Sequence, residues 1–335
     1  MNIMDLRIIN LRAIAILIVV LGHSIILYDP SWGLYHSDIV MPLFEFVKQH
    51  LINPIQMPIF FFISGFLFYR SVNERAQLSF GKFFRSKFFR LIIPYYSIAI
   101  LWMNPIKLCV KSPGYEDGFG FSDIARQLLF SGHLGHLWYL PTLLGCFFIV
   151  FLSVSVLYKY IARGCYTYFI SLLFALFLCI HLFSNHISSF FCLSYIAHYL
   201  VFFFAGYCFY YGLLVFHTIL TRKETKYLCI IGLVFSSVFV FCFSEILRPL
   251  CIVLLLIGAY MIIPNKTNTI SRSISDKSFG IYLFHSPFIY LTFTYFANLN
   301  PWLVLLINFV LFGGLSYLIS ILISKSNFKY IIGAK

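Results

Sequence analysis

Charge is what this chain has least of. Only 10% of its 335 residues are Asp, Glu, Lys or Arg, and the acidic share is 11 residues. So little charge cannot cover a water-soluble surface, and a soluble core could not hide 61% hydrophobic residues at a mean hydropathy of +0.91. The chain reads as a polytopic membrane protein. Paired cysteines are lacking too: the nine Cys form an odd set without a CxxC pair, nearly all inside apolar runs, and read as small buried hydrophobes. No His/Cys/Asp/Glu set shows ligand spacing, so no metal is expected. Neither a fixed-period repeat nor a Gly/Ser/Pro-rich linker divides residues 1–335, which argues for a single membrane domain. A cleavable signal peptide is not expected, because the first apolar run is of full spanning length and lacks a small-residue cleavage site.

The apolar residues gather in runs bounded by charge, Pro or Asn, at about 8 to 28, 54 to 70, 89 to 110, 136 to 157, 166 to 184, 190 to 212, 226 to 244, 246 to 263, 278 to 297 and 302 to 324. These predict an all-α fold of about ten transmembrane helices. A net charge of +13 would point to nucleic acid in a soluble protein, but here the basic residues occupy short segments between apolar runs. That pattern sets topology and implies no nucleic-acid partner. With the N-terminus in the cytoplasm, nineteen of the 24 Lys and Arg lie inside, whereas Lys48, Lys107, Lys111, Arg126 and Arg248 lie outside or near that face. Both termini are therefore expected in the cytoplasm. The long outer loops 29–53 and 111–135 either frame an exterior substrate site or are solvated connections. Within the first, Val40 to Leu51 is short and mixed, and reads as lying along the interface.

An ionisable side chain inside a span costs about 2.5 to 3.5 kcal/mol on insertion scales, so each is a functional candidate until a partner explains it. The stretch LRAIAILIVVLGH places ten residues between Arg12 and His23. On an α-helix that separation turns through about 1100°, three turns plus roughly 20°, and rises about 16 Å, so both side chains share one face. Arg12 then sits near the cytoplasmic headgroups, where it either snorkels or binds an anion. The deep His23 either serves a backbone carbonyl or works as a general base, since histidine titrates near neutral pH and takes protons from hydroxyls.

Arg70, Arg75, Lys82, Arg85, Lys87 and Arg90 follow the second run, and topology and anionic membrane lipid account for part of them. Lys87 and Arg90, three apart at a helical start, share a face and can present two cations to one anionic ligand. In PIFFFISGFLFYR, Ser64 and Gly65 interrupt strongly apolar neighbours, and such small residues let helices or a ligand approach closely. His136, Trp138 and Tyr139 open the fourth run in GHLWYLPTLLG, where Trp and Tyr read as interfacial anchors. SFGIYLFHSPFIY holds Tyr282 and His285, three apart on one face. His181 and His198 also fall within runs and read as core polar groups.

LRAIAILIVVLGH, PIFFFISGFLF, KFFRLIIPYY, HLWYLPTLL and SFGIYLFHSPF, in this order, resemble the membrane acyltransferase 3 family, whose members are integral-membrane O-acyltransferases of cell-surface glycans. The resemblance spans essentially the whole chain, and the first stretch matches the family's pattern of Arg or Lys, ten residues, His. The chain departs at Gln56, where many relatives carry a histidine, at Ile9, where they tend to be acidic, and at Leu143, where the branch with a soluble exterior domain has glutamate. It is similar to the short branch without that domain.

The resemblance implies a multi-pass protein of the inner (plasma) membrane. Its donor would be acetyl-CoA or another short acyl-CoA, and its acceptor a sugar hydroxyl of a lipid-linked or surface polysaccharide. Arg12, Lys87, Arg90 and Arg85 would form a cationic mouth for the CoA phosphates, with the thin pantetheine arm running up to His23. His23 would deprotonate the sugar hydroxyl or carry the acetyl group itself, with Ser64, Tyr282 and His285 lending hydrogen bonds to the developing oxyanion. Two other readings stay open: a transporter or flippase of a glycan or lipid, since basic, aromatic-lined bundles do that too, and a non-catalytic partner in polysaccharide assembly.

Overall fold

The computed structural model describes residues 6–35, 37–73, 79–115, 120–130, 134–157, 165–216, 227, 231–232 and 247–333. Among the described residues it is all-helical, with no strand. In chain order the helices are α1 (Leu6–Ser24), α2 (Pro42–Val72), α3 (Phe80–Cys109), α4 (Phe121–Phe130), α5 (Tyr139–Leu157), α6 (Tyr166–Leu182), α7 (Leu193–Val215), α8 (Arg248–Ile262), α9 (Thr269–Tyr295) and α10 (Pro301–Lys325). Among the described residues six helical stretches, at α1, α2, α3, Gly135–Val154, Phe190–Val215 and α10, are long and apolar enough to cross a membrane. The apolar helices α6 and α8 are shorter, and the 27-residue α9 is interrupted by His285, Pro287 and several hydroxyls. Every apolar run of the sequence meets one of these helices except 226 to 244, which lies outside the described residues apart from Tyr227, Ile231 and Gly232. The basic residues Arg75, Lys159, Arg163, Arg222, Lys223, Lys226 and Lys335 and the acidic Glu116 and Asp117 lie outside them too.

In the segment Val40 to Leu51, from Pro42, a residue suited to a first helical turn, the chain is helical and runs on as the 31-residue α2. Phe44 and Ile52 explain this, because both are buried in a cluster with Ile25, Leu27, Tyr28, Ile289 and Phe293, so the segment finds an apolar partner in protein.

The chain forms two compact units, one of Met1–Leu11, Met57–Ser86 and Pro141–Lys266, the other of Arg12–Gln56, Lys87–Leu140 and Thr267–Lys335. In the first, α2 and α7 touch backbone to backbone. A Cβ on Gly65 would run into the Phe203 carbonyl, and one on Gly206 into the Phe62 carbonyl, so each helix supplies the small residue the other needs. Phe61, Phe62, Phe66, Phe203, Phe204 and Tyr207 are fully buried in this unit, and the rings of Phe66 and Phe209 reach Tyr260 of α8 at 5.5 and 5.0 Å. The glycine of the ISG motif therefore serves helix approach.

The second unit ties the C-terminal end of α1 to α9 and α10 through polar groups. Asn308 Nδ2 donates to the Ser24 carbonyl at 3.4 Å, and Thr292 donates its hydroxyl to Asn308 Oδ1 at 2.7 Å. Asn308 lies in the π-helical stretch Ile307–Phe312, and the same unit holds two more, Val47–Ile52 and Ala99–Met103. Each π turn adds a residue and shifts the helical register by about 100°, which re-aims the side chains around it. Just past α1, Asp29 is buried and accepts from Ser31 N (3.1 Å), Ser31 Oγ (2.6 Å) and Gln49 Nε2 (2.9 Å). Burial pushes its carboxyl up, but those hydrogen bonds and nearby Lys48 outweigh this and hold it below its ordinary value.

Two outcomes are expected. Gly65→Ala and Gly206→Ala each overpack the α2–α7 contact and destabilise the protein by about 1–3 kcal/mol or more, whereas Gly212→Ala, with open space at its Cβ, leaves the detergent melting temperature unchanged or slightly raised. Because the folded carboxyl of Asp29 lies below its unfolded value of about 3.9, its contribution to stability is complete above that value and is lost as pH falls through the folded one. Melting curves recorded against pH therefore show an acid limb that Asp29→Asn flattens.

Candidate active site

His23 occupies the last turn of α1, and His285 stands buried in the middle of α9. His285 Nδ1–H donates to the Ile281 carbonyl, one turn back on its own helix, at 2.9 Å. A carbonyl only accepts, so this contact puts the proton on Nδ1 and leaves Nε2 as a lone pair. His23 Nδ1, 2.8 Å from that nitrogen, is then the donor between the two rings. In the neutral pair His23 keeps its own lone pair on Nε2, the arrangement of a base whose tautomer is set by two partners in series.

A third histidine joins them. His136 is 5% exposed, with its ring centroid 6.2 Å from that of His23, 5.4 Å from His285 and 4.9 Å from Tyr282. Gly135 turns the chain into this position with a φ of +57°, and a Cβ there would come 3.1 Å from the Tyr290 hydroxyl. The Tyr282 hydroxyl donates to the main-chain carbonyl of His136, so this tyrosine fixes the turn that carries the histidine. Among the described residues neither ring nitrogen of His136 has a hydrogen-bond partner. The neighbouring aromatic residues drew the sequence reading toward the membrane interface, and for Tyr139 that is corrected. Its ring is buried 5.4 Å from that of Tyr282, because α9 covers it.

Two lysines that broke the positive-inside pattern turn out to be buried. Lys48, in the π-helical part of α2, is 2% exposed and donates to Gln56 Oε1 at 3.3 Å. Gly22 makes room for both: a Cβ on it would meet Gln56 Oε1 at 2.6 Å and Lys48 Nζ at 3.3 Å. Lys48 is within electrostatic reach of His23 and of Asp29. Lys107 is 4% exposed, 4.5 Å from the ring centroid of Tyr290 and 5.1 Å from that of Tyr115, and within electrostatic reach of His136. The Tyr115 hydroxyl sits between Asn104 Oδ1 (2.8 Å) and Gln127 Oε1 (2.9 Å), and burial pushes its ionisation up to about 12. Their departure from the positive-inside pattern was the available signal for both lysines.

At the other end of α1, half-buried Arg12 lies within electrostatic reach of Arg90, Asp276 and Tyr139. Arg90 is exposed and Lys87 half-buried, and the turn Lys329–Ile332 is followed by Gly333, which packs against the Arg90 backbone. The second unit thus brings His23, Tyr282 and His285 together, and Arg12 together with Arg90. Ser64, half-buried beside Gly65, and exposed Arg85 belong to the first unit. His181 and His198 are in the first unit as well, where His181 Nδ1–H donates to the His198 carbonyl at 2.6 Å and Ser184 Oγ lies 3.3 Å from His198 Nδ1.

The family model of acyltransferase 3, described as an acyltransferase domain, matches residues 5–325 of the chain. Among curated proteins and among solved structures, none matches. Apolar helices in number and a match over nearly the whole length make the chain a multi-pass membrane protein that belongs to the acyltransferase 3 family, and an acyltransferase.

Proposed function

We propose that the protein moves a short acyl group, acetyl in the first instance, from cytoplasmic acyl-CoA to a sugar hydroxyl of a lipid-linked or surface polysaccharide at the inner (plasma) membrane. The observation that carries this reading is the series Ile281 carbonyl, His285, His23, which leaves a lone pair at His23 Nε2. The acceptor hydroxyl gives its proton to that nitrogen as its oxygen attacks the thioester carbonyl carbon. The C–O bond forms, the C–S bond breaks, and the proton passes from His23 to the departing thiolate. His285 is a positioning residue: it touches neither reactant, and it accepts the His23 Nδ1–H throughout, so that the imidazolium keeps its partner. The same lone pair supports a covalent route in which His23 carries the acetyl group between donor and acceptor.

For the donor, the reading uses the foot of α1. Arg12 and Arg90, with Lys87 on the same face of α3 as Arg90, offer charge-assisted hydrogen bonds to phosphate. Three helical turns, about 16 Å, separate Arg12 from His23 along α1, a span suited to a thin pantetheine arm. About ten spans with both termini in the cytoplasm complete the picture, since they put this foot on the side where acyl-CoA is made.

Two measurements test the reading. His23→Ala lowers acyl transfer by about 10²–10⁴-fold while membrane insertion and melting temperature persist, and NMR of surface glycan from wild-type and variant cells shows the O-acetyl signal disappear. An unchanged signal sinks the enzymatic reading and favours a transporter or an assembly partner. His285→Ala leaves the His23 tautomer unset and lowers kcat with little change in KM for acyl-CoA, while Arg12→Ala chiefly raises that KM.

A further inference from the structure

A base alone does not answer the negative charge that develops on the acyl oxygen during transfer, a term often larger than the proton transfer itself. Two of the side chains that the sequence offered as donors to this oxygen, Tyr282 and His285, are engaged. The Tyr282 hydroxyl donates to the His136 carbonyl, and His285 uses both ring nitrogens on Ile281 and His23.

Two buried side chains beside His23 retain donors. Lys48 carries three N–H groups, of which one goes to Gln56 Oε1. Gln56 is itself oriented, because its Nε2 donates to Asn53 Oδ1 at 3.2 Å, which turns the amide oxygen toward the ammonium. His136 when neutral carries one N–H and one lone pair, and although the Tyr282 and Leu283 main chain lies near its ring, neither nitrogen is in hydrogen-bond geometry. Both residues act electrostatically on His23. Among the described residues the ammonium has a single neutral hydrogen-bond partner and the imidazole none, an unfavourable state for buried polar groups within a membrane bundle. A glycine admits each of them: Gly22 lets Lys48 approach α1, and Gly135 sets the turn that leads into His136.

We infer that Lys48 and His136 form the oxyanion side of the centre. As the acceptor oxygen bonds to the thioester carbon, the carbonyl π pair moves onto the acyl oxygen, which receives N–H from Lys48 and from His136. That pair returns as the C–S bond breaks and its electrons leave with the thiolate, which takes the proton held by His23. The inference rests on the transfer reading above and adds to it the two groups that meet the acyl oxygen.

The test uses full-length protein in proteoliposomes made with the total lipid extract of the producing cells, with thiol release from acetyl-CoA as the readout. Lys48→Met and His136→Phe are each expected to lower kcat by about 10²–10³-fold, with KM for acetyl-CoA and melting temperature unchanged. Lys48→Arg and His136→Gln, which keep an N–H donor, are expected to stay within about tenfold of wild type, and a role confined to packing does not produce that rescue. His23→Ala is run alongside. If it loses thiol release while folded Lys48→Met and His136→Phe keep wild-type kcat, or change KM alone, the transfer reading stands and this inference is overturned. If His23→Ala retains thiol release, the transfer reading falls and the inference with it. Should Lys48→Met or His136→Phe fail to fold, the conservative pair decides: activity within tenfold supports the inference, and loss equal to that of His23→Ala overturns it.

Discussion

His285 gives its one ring proton to a carbonyl of its own helix and so has only a lone pair to offer His23. That single hydrogen bond requires α1 and α9 to meet with side-chain accuracy, since a misplaced partner leaves a buried polar group unsatisfied. Much of the second unit follows from the requirement. The Ser24, Asn308 and Thr292 chain fixes the end of α1 against α9 and α10 one residue beyond His23. The π-helical stretches carry Lys48 and Asn308 and precede Asn104, all three of them polar and buried. A regular helix would aim those side chains elsewhere, and the local irregularity allows an otherwise apolar unit to hold several polar groups inward.

The first unit is organised by a different interaction. Gly65 and Gly206 bring two backbones into contact, and a layer of Phe and Tyr closes around the crossing. Dispersion between close-packed surfaces holds helices together where the hydrophobic effect between them is weak, which suits a membrane setting. His181 and His198 of this unit are served by a main-chain carbonyl and a serine, whereas the ring of His136 has no hydrogen-bond partner among the described residues.

Within the second unit the cations named above fall into two groups. Arg12, Lys87 and Arg90 lie half-buried or exposed at one end of α1, as suits groups that exchange contacts with water or phosphate. Lys48 and Lys107 are buried toward its other end, one held by Gln56 and the other over two tyrosine rings. On the proposed transfer, the first group suits a charged carrier and the second a place where a few fixed dipoles act on the reacting atoms.

Much of this was legible in the sequence, because helices and their faces are local. Spacing alone put Arg12 and His23 on one side of α1 and Tyr282 with His285 on one side of α9, and hydropathy located every described helix that is long and apolar. Motif order was enough to indicate the family. Hydrogen-bond assignment was not legible, since His23 and His285 are 262 residues apart and the two partners that set their protons become visible only once the helices are packed. Lys48 and His136 escaped for the same reason: on paper one was an exterior charge and the other a neighbour of interfacial aromatics. Gly65 could have served a ligand or a helix, and only the Phe203 carbonyl against it decided for the helix. Sequence by itself determined which segments leave water and which faces they carry, because transfer free energy and helical pitch act residue by residue. Which polar groups are satisfied and which are left with open donors depends on what distant segments bring to them, and tertiary structure alone decided that.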